Sequence, residues 1–154
     1  MILISAFARN FNNGRSNPKD YPLAYWEETI HLLKINGHRT IQVGIDGDRM
    51  LDVDACIFNK SLTTLRSLII ACDVWISVDS FFQHYATSLN RKGIVIWGPS
   101  DYRIFGYDSN INLVKDIKYL RKEQFVRWDC VDYDANCFAP PAAIMSAVFS
   151  IVRH

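Results

Sequence analysis

Several things are scarce or missing in this chain, and each absence closes off a class of function. Its 154 residues contain no run of about 18 apolar side chains, so no membrane-spanning helix is expected. The opening Met1-Ile2-Leu3-Ile4-Ser5-Ala6-Phe7 has no charged leader and is too short for a secretory core; it is expected to be a strand. Neither charge sign is in excess, with 17 Lys and Arg against 16 Asp and Glu. Proteins that wrap nucleic acid normally show a basic surplus, so the balance argues against that business, though not against a small basic pocket. Cysteine is scarce: four thiols, none in a CxxC pair. Cys56 and Cys72 lie in apolar stretches and are expected to be buried thiols. Cys130 and Cys137 leave a disulfide or metal role open, but two thiols without well-spaced histidines make a poor ligand set. Cytoplasmic, reducing surroundings fit this usage. Also absent are Gly-x-x-x-x-Gly-Lys, a Gly-x-Gly-x-x-Gly after a strand, HExxH, Gly-x-Ser-x-Gly and an acidic calcium or magnesium cluster. The sequence therefore calls for no metal and no nicotinamide cofactor.

What is present is the composition of one globular domain over residues 1–154: 49% hydrophobic, 13% aromatic, 21% charged. Short apolar runs alternate with stripes of helical period. Strands are expected at 2–4, 40–43, 54–57, 74–78, 93–97 and 111–114. Helices are expected at 23–35, stopped by Asn36-Gly37, after Ser61 with Leu62, Leu65, Ile69 and Cys72 on one face, after Ser80, and from Pro140-Pro141 onward. Continuous apolar strands separated by amphipathic helices mean a parallel sheet covered on both faces. The expected fold is a Rossmann-like, doubly wound α/β domain with a mostly parallel sheet. Residues 100–139 are the least regular and are expected to run over the surface.

Ligands of such sheets sit beyond the carboxyl ends of the strands. Three stretches there can carry chemistry. In Val78-Asp79-Ser80-Phe81-Phe82-Gln83-His84, Ser80 and Gln83 have capping-box spacing, and the free amides of a helix start bind anions. The same residue types also serve simply as caps. Residues 8–19 form a polar loop with three cations, Arg9, Arg15 and Lys19, and no acid before Asp20; it is either a phosphate clamp or a solvated loop. Gly98-Pro99-Ser100-Asp101 reads as a turn.

Taken in order, these stretches resemble the C-terminal, donor-binding half of the heptosyltransferase family (glycosyltransferase family 9) of GT-B glycosyltransferases. Lys19-Asp20-Tyr21-Pro22 followed by Trp26 is similar to that family's Lys-x-Trp-Pro-x-x-x-Trp segment. Residues 73–89 are similar to its strand, Asp-Ser/Thr-Gly-x-x-His motif and Ala-rich helix. Residues 94–101 are similar to its strand ending in Gly-Pro-Ser/Thr-Asp. Phe81 departs from the pattern, standing where the family has glycine. The N-terminal acceptor-binding domain, which carries the family's acidic base, has no counterpart in this sequence.

The resemblance implies one half of a GT-B fold and a nucleotide-diphosphate sugar as donor. Lys19 would neutralise the leaving diphosphate, with Ser5 and Arg9 beside it. Asp79, Ser80, Phe81 and the following amides would form an anion cradle with His84 close by, and Gly44 would sit near the nucleoside. Transfer would proceed with inversion and no obligatory metal. The general base is left unassigned: Asp46, Asp48 and Asp101 lie at the right edge, but nothing in the sequence tunes them toward neutral pH. A missing partner domain also implies association, either with a separate acceptor-domain chain or with further copies of this one; nucleic acid would enter only as an acceptor. The rival readings are a non-catalytic nucleotide-sugar sensor or sequestering module, and a sheet kept only as an interaction surface.

Overall fold

Among the described residues six strands are interspersed with five helices, and the changes of apolar period predict the strands and four of the helices. The computed structural model describes residues 1–152. Strands β1 (Ile2–Ser5), β2 (Thr40–Gly44), β3 (Ala55–Phe58), β4 (Val74–Val78), β5 (Ile94–Ile96) and β6 (Ile111–Leu113) form one sheet in the order β3-β2-β1-β4-β5-β6. Every pairing is parallel. Helices α1 (Leu23–Ile35), α2 (Leu62–Ala71), α3 (Phe81–Ser88), α4 (Tyr102–Phe105) and α5 (Pro141–Ile151) make the crossovers and close the chain.

The strands divide their side chains between two cores because successive residues point to opposite faces. Ile2 and Ile4 of β1, Val74, Ile76 and Val78 of β4, and Ile94 and Ile96 of β5 join Trp26, Ile30 and Leu33 of α1 and Ile144 and Val148 of α5. Leu3, Trp75, Val95 and Trp97 face the other way, onto Ile69 of α2 and Phe82 and Ala86 of α3. The helix boundaries have local causes. Gly37, at φ +79, supplies the left-handed residue that follows α1. Pro141 opens α5, where its missing N–H costs nothing. Ser61 and Ser80 cap α2 and α3, each accepting a backbone N–H with its side chain.

Some expectations were off. Leu62 is 56% exposed rather than buried with the sheet-facing stripe of α2; it stands at the helix's first residue, on the rim of a cavity. Cys56 is only half-buried, whereas Cys72 is buried. All four cysteines are free; Cys130 is exposed and Cys137 buried, its thiol pushed up to about 12 by desolvation. Gln83 does not complete the capping box: its amide turns inward and donates to Asp79 Oδ1 at 3.0 Å. Helix α4 was not foreseen. Asp101 caps it and is held below the ordinary carboxylate range by hydrogen bonds from Arg103. Within residues 100–139, expected to be surface chain, the part after β6 forms two short 3₁₀ turns (Ile117–Tyr119 and Ala135–Cys137) and an irregular strap fastened back to the sheet end.

Candidate functional site

The strand order reverses between β1 and β4, whose neighbouring chains leave the sheet in opposite directions. A crevice opens at such a point because the loops diverge. Here it is a cavity of about 520 Å³. Seven of the eight positions singled out from sequence line it: Ser5, Arg9, Lys19, Gly44, Asp79, Ser80 and Phe81. His84 does not. It lies further along α3, exposed, with Nδ1 2.9 Å from the Tyr107 hydroxyl.

The loop after β1 delivers its cations along separate paths. Its fold is set by two carbonyl-bearing side chains. Asn17, buried, donates to the Arg9 carbonyl at 2.8 Å and accepts from the Lys19 amide at 3.0 Å. Asp20 accepts from the Ala8 amide at 2.7 Å. With the loop so closed, Arg15 swings away to Asp132 at 2.6 Å. Lys19 turns into the cavity and places Nζ 2.8 Å from Asp79 Oδ2. That contact is an ion pair rather than an aligned hydrogen bond, since Oδ2 accepts none. Arg9 lines the cavity and enters no ion pair among the described residues.

Two helix starts open onto this space. Ser80 Oγ accepts from the Phe82 amide at 3.3 Å, and Asp79 stands just before it. Ser61 Oγ accepts from the Thr64 amide at 3.2 Å, and Lys60, a cavity residue, stands just before it. Each start adds the positive end of a helix dipole. The far wall is apolar: Val43, Ile57, Leu65 and Leu68. Gly44 is needed there for close approach. A Cβ on it would fall 2.3 Å from Asp48 Oδ2, the carboxylate oxygen that accepts from the Ile45 amide and holds the turn.

Two acids have unusual surroundings. Burial raises Asp48, against the pull of the Ile45 amide. Asp20 is pushed up to about 7, mainly by burial, with the Ala8 amide opposing and the Asp48 charge adding. Sequence reasoning missed Asp20, Asn17, Lys60 and Trp128. Trp128 comes from the irregular strap and lines the cavity beside Lys19, its ring centroid 4.8 Å from Nζ. The only sequence signal for it was an aromatic residue between Arg127 and Asp129 in a stretch with no period. No group of three or more His, Cys, Asp or Glu placed to hold a metal occurs among the described residues.

Strand order and cavity position together define a fold class, equivalent to one half of a GT-B fold. Solved structures give that class particular relatives. The ADP-heptose lipopolysaccharide heptosyltransferase II of E. coli superposes with a TM-score of 0.69 at 17% identity, over 97% of this chain and 45% of its own. A glycosyl transferase family 9 protein from Veillonella parvula gives 0.74 at 15% identity, over 98% and 45%. The E. coli heptosyltransferase WaaC, solved with ADP, gives 0.58 at 19% identity, over 72% and 36%. The chain thus spans about half the length of the first of these. No protein-family model and no curated protein matches its sequence. No helix among the described residues is long and apolar enough to cross a membrane.

Proposed function

We propose that this chain is the donor-binding unit of a glycosyltransferase that takes a nucleoside-diphosphate sugar into the cavity between β1 and β4. The observation that carries the reading is the convergence of three cations, Arg9, Lys19 and Lys60, and two helix starts on one cavity with an apolar far wall. A diphosphate matches the charged end, and a nucleobase matches the wall of Val43, Ile57, Leu65 and Leu68 beside Gly44.

In the reaction, an acceptor oxygen forms a bond to the anomeric carbon from one side as the bond to the diphosphate oxygen breaks on the other. The configuration inverts. The electron pair stays on the leaving diphosphate, where the ammonium of Lys19 and the amides after Ser80 stabilise it; no obligatory metal is needed for that. Donors aimed at developing charge are worth about 2.7–4 kcal/mol each in known cases. The acceptor proton passes to a base outside the residues assigned here, supplied by an acceptor-domain chain or a further copy of this one.

Calorimetry with a panel of nucleosides, monophosphates, diphosphates and diphosphate sugars tests the reading. Diphosphates are expected to bind at least tenfold more tightly than monophosphates of the same base. Slow hydrolysis of a bound diphosphate sugar then separates an enzyme from a sensor. A panel in which no diphosphate binds leaves the fold without this function.

A further inference from the structure

We infer that Trp128 is a positioning residue for the anion end of the cavity: its indole holds the Lys19 ammonium in place at Asp79. The inference rests on the diphosphate reading above and adds to it a residue from a part of the chain with no regular structure.

A lysine is a poor fixed charge when left alone. Its stem has many rotamers, and each must be given up when an anion arrives. The Lys19 head is therefore caged. Asp79 Oδ2 lies at 2.8 Å, the Trp128 ring centroid at 4.8 Å and the Phe105 centroid at 5.7 Å. The two aromatic contacts differ in kind. An indole is the strongest of the aromatic cation acceptors, and the Trp128 distance is well inside the range of about 6 Å over which such rings attract.

Trp128 is itself fastened. Arg121 lies over the same ring, with Cζ 4.9 Å from its centroid, and its guanidinium donates to the carbonyls of Val126 and Arg127 at 3.0 Å each. Arg121 in turn donates its amide to the Pro99 carbonyl at 2.8 Å. Gln124, buried, donates to the same carbonyl at 3.0 Å and accepts from the Asp101 amide at 2.9 Å. The strap is thus anchored to the turn that follows β5, and through Trp128 that turn fixes the cation beside α3. Fixing Lys19 beforehand lowers the ordering cost of binding, which is how preorganisation raises affinity.

The test compares Trp128→Leu, which keeps bulk and loses the π face, with Trp128→Phe, which keeps a face. Titrated calorimetrically with inorganic pyrophosphate and with ADP, Trp128→Leu is expected to bind about tenfold more weakly, and Trp128→Phe to return most of the loss. A second readout needs no ligand. With 13C-labelled lysine, the Lys19 Hε resonance, assigned by its loss in Lys19→Arg, should be shifted upfield by the indole ring current in the unsubstituted protein and return to the ordinary position in Trp128→Leu. Equal pyrophosphate and ADP affinity in Trp128→Leu and the parent, or an unshifted Lys19 resonance in the parent, overturns the inference alone. A parent that binds neither pyrophosphate nor ADP overturns the diphosphate reading and this inference with it.

Discussion

Helices α2 and α3 start in the same way and end up electrically opposite. Both open on the cavity, both are capped by a serine, and neither has an acidic residue in its first turn. The residue before the cap is Lys60 in one and Asp79 in the other. At α3 the dipole meets a buried carboxylate, and that carboxylate meets Lys19. The charges close on themselves, so this side supplies a fixed geometry and little net field. At α2 the dipole is reinforced by an exposed lysine that has no ion-pair partner among the described residues. Together with Arg9, that side supplies the uncompensated positive field. An entering anion would be drawn by one helix start and seated by the other.

Breaking the closed side should have the largest effect. Lys19→Ala removes a cavity cation and strands Asp79, which is 4% exposed, as a bare anion where the proposed diphosphate would sit. Loss of one member of a buried pair costs about 3 kcal/mol, at the low end here because Lys19 keeps some solvent. Diphosphate affinity should fall below detection. The double variant Lys19→Met/Asp79→Asn should recover stability to within about 1 kcal/mol of the parent, since replacing both partners leaves no orphaned charge. It should recover no binding. Denaturant melts and calorimetry on the same samples separate the two effects; binding by the double variant would show that the pair is scaffolding alone.

Lys19 also has a neighbour with the opposite fate. Asp20 is half-buried where Asp79 is buried, has the Ala8 amide but no ion-pair partner among the described residues, and is pushed up from 3.8 to about 7. The folded protein therefore holds this proton across a range in which the unfolded chain has released it. Because the unfolded state binds fewer protons there, stability falls as pH rises from about 4 to about 7 and is level above. Asp20→Asn keeps an acceptor for the Ala8 amide and has no charge to bury. It should remove that slope and exceed the parent by roughly 2 kcal/mol at pH 8, a value discounted for the solvent the carboxylate retains. Parallel melts across this range decide it; identical slopes in parent and variant would refute the assignment of a raised Asp20.

These residues also mark what the sequence could and could not tell. The strands and four longer helices were legible because continuous apolar runs and 3.6-residue stripes are local, and so are serine caps and terminal glycines. The convergence of residues 5, 19, 44 and 79 followed from the rule that loops after parallel strands share one edge. Lys19 toward the start of α3 was legible only through the resemblance, since 60 residues separate it from Asp79. Trp128, Lys60 and the burial of Asp20 were not legible. The place of Trp128 comes from where an irregular strap is tied down, by Arg121 and Gln124 on the Pro99 carbonyl, and such ties have no period to read; Lys60 and Asp20 depend on contacts between segments far apart in the chain. Gln83 was misread for a related reason: its spacing fits a capping box, but its NH2 donates to the nearby buried carboxylate of Asp79, and its Oε1 accepts nothing from the Ser80 amide.

The open side can be tested by reversing its charge. Lys60 is exposed, so Lys60→Glu should leave the melting temperature within a degree or two and weaken diphosphate binding by about tenfold. The loss should shrink as salt rises, because exposed charges are screened over about 8 Å at physiological ionic strength. Asp79 and Lys19, half to fully buried, should show a weaker salt dependence in the parent. Equal salt sensitivity on both sides would erase the distinction between a drawing and a seating helix.

The smallest expected effect isolates the caps themselves. Ser61→Ala and Ser80→Ala each remove one side-chain acceptor from a helix start, which costs about 1 kcal/mol wherever it occurs. The two should therefore destabilise alike. They should not bind alike. Ser80 lines the cavity and Ser61 does not, so only Ser80→Ala is expected to disturb the amides that seat the anion, lowering diphosphate affinity by about threefold while Ser61→Ala leaves it unchanged. Because the stability costs match, a difference in affinity cannot be ascribed to loosening of the fold. It would come from the placement of the two caps, Ser80 on the cavity and Ser61 off it.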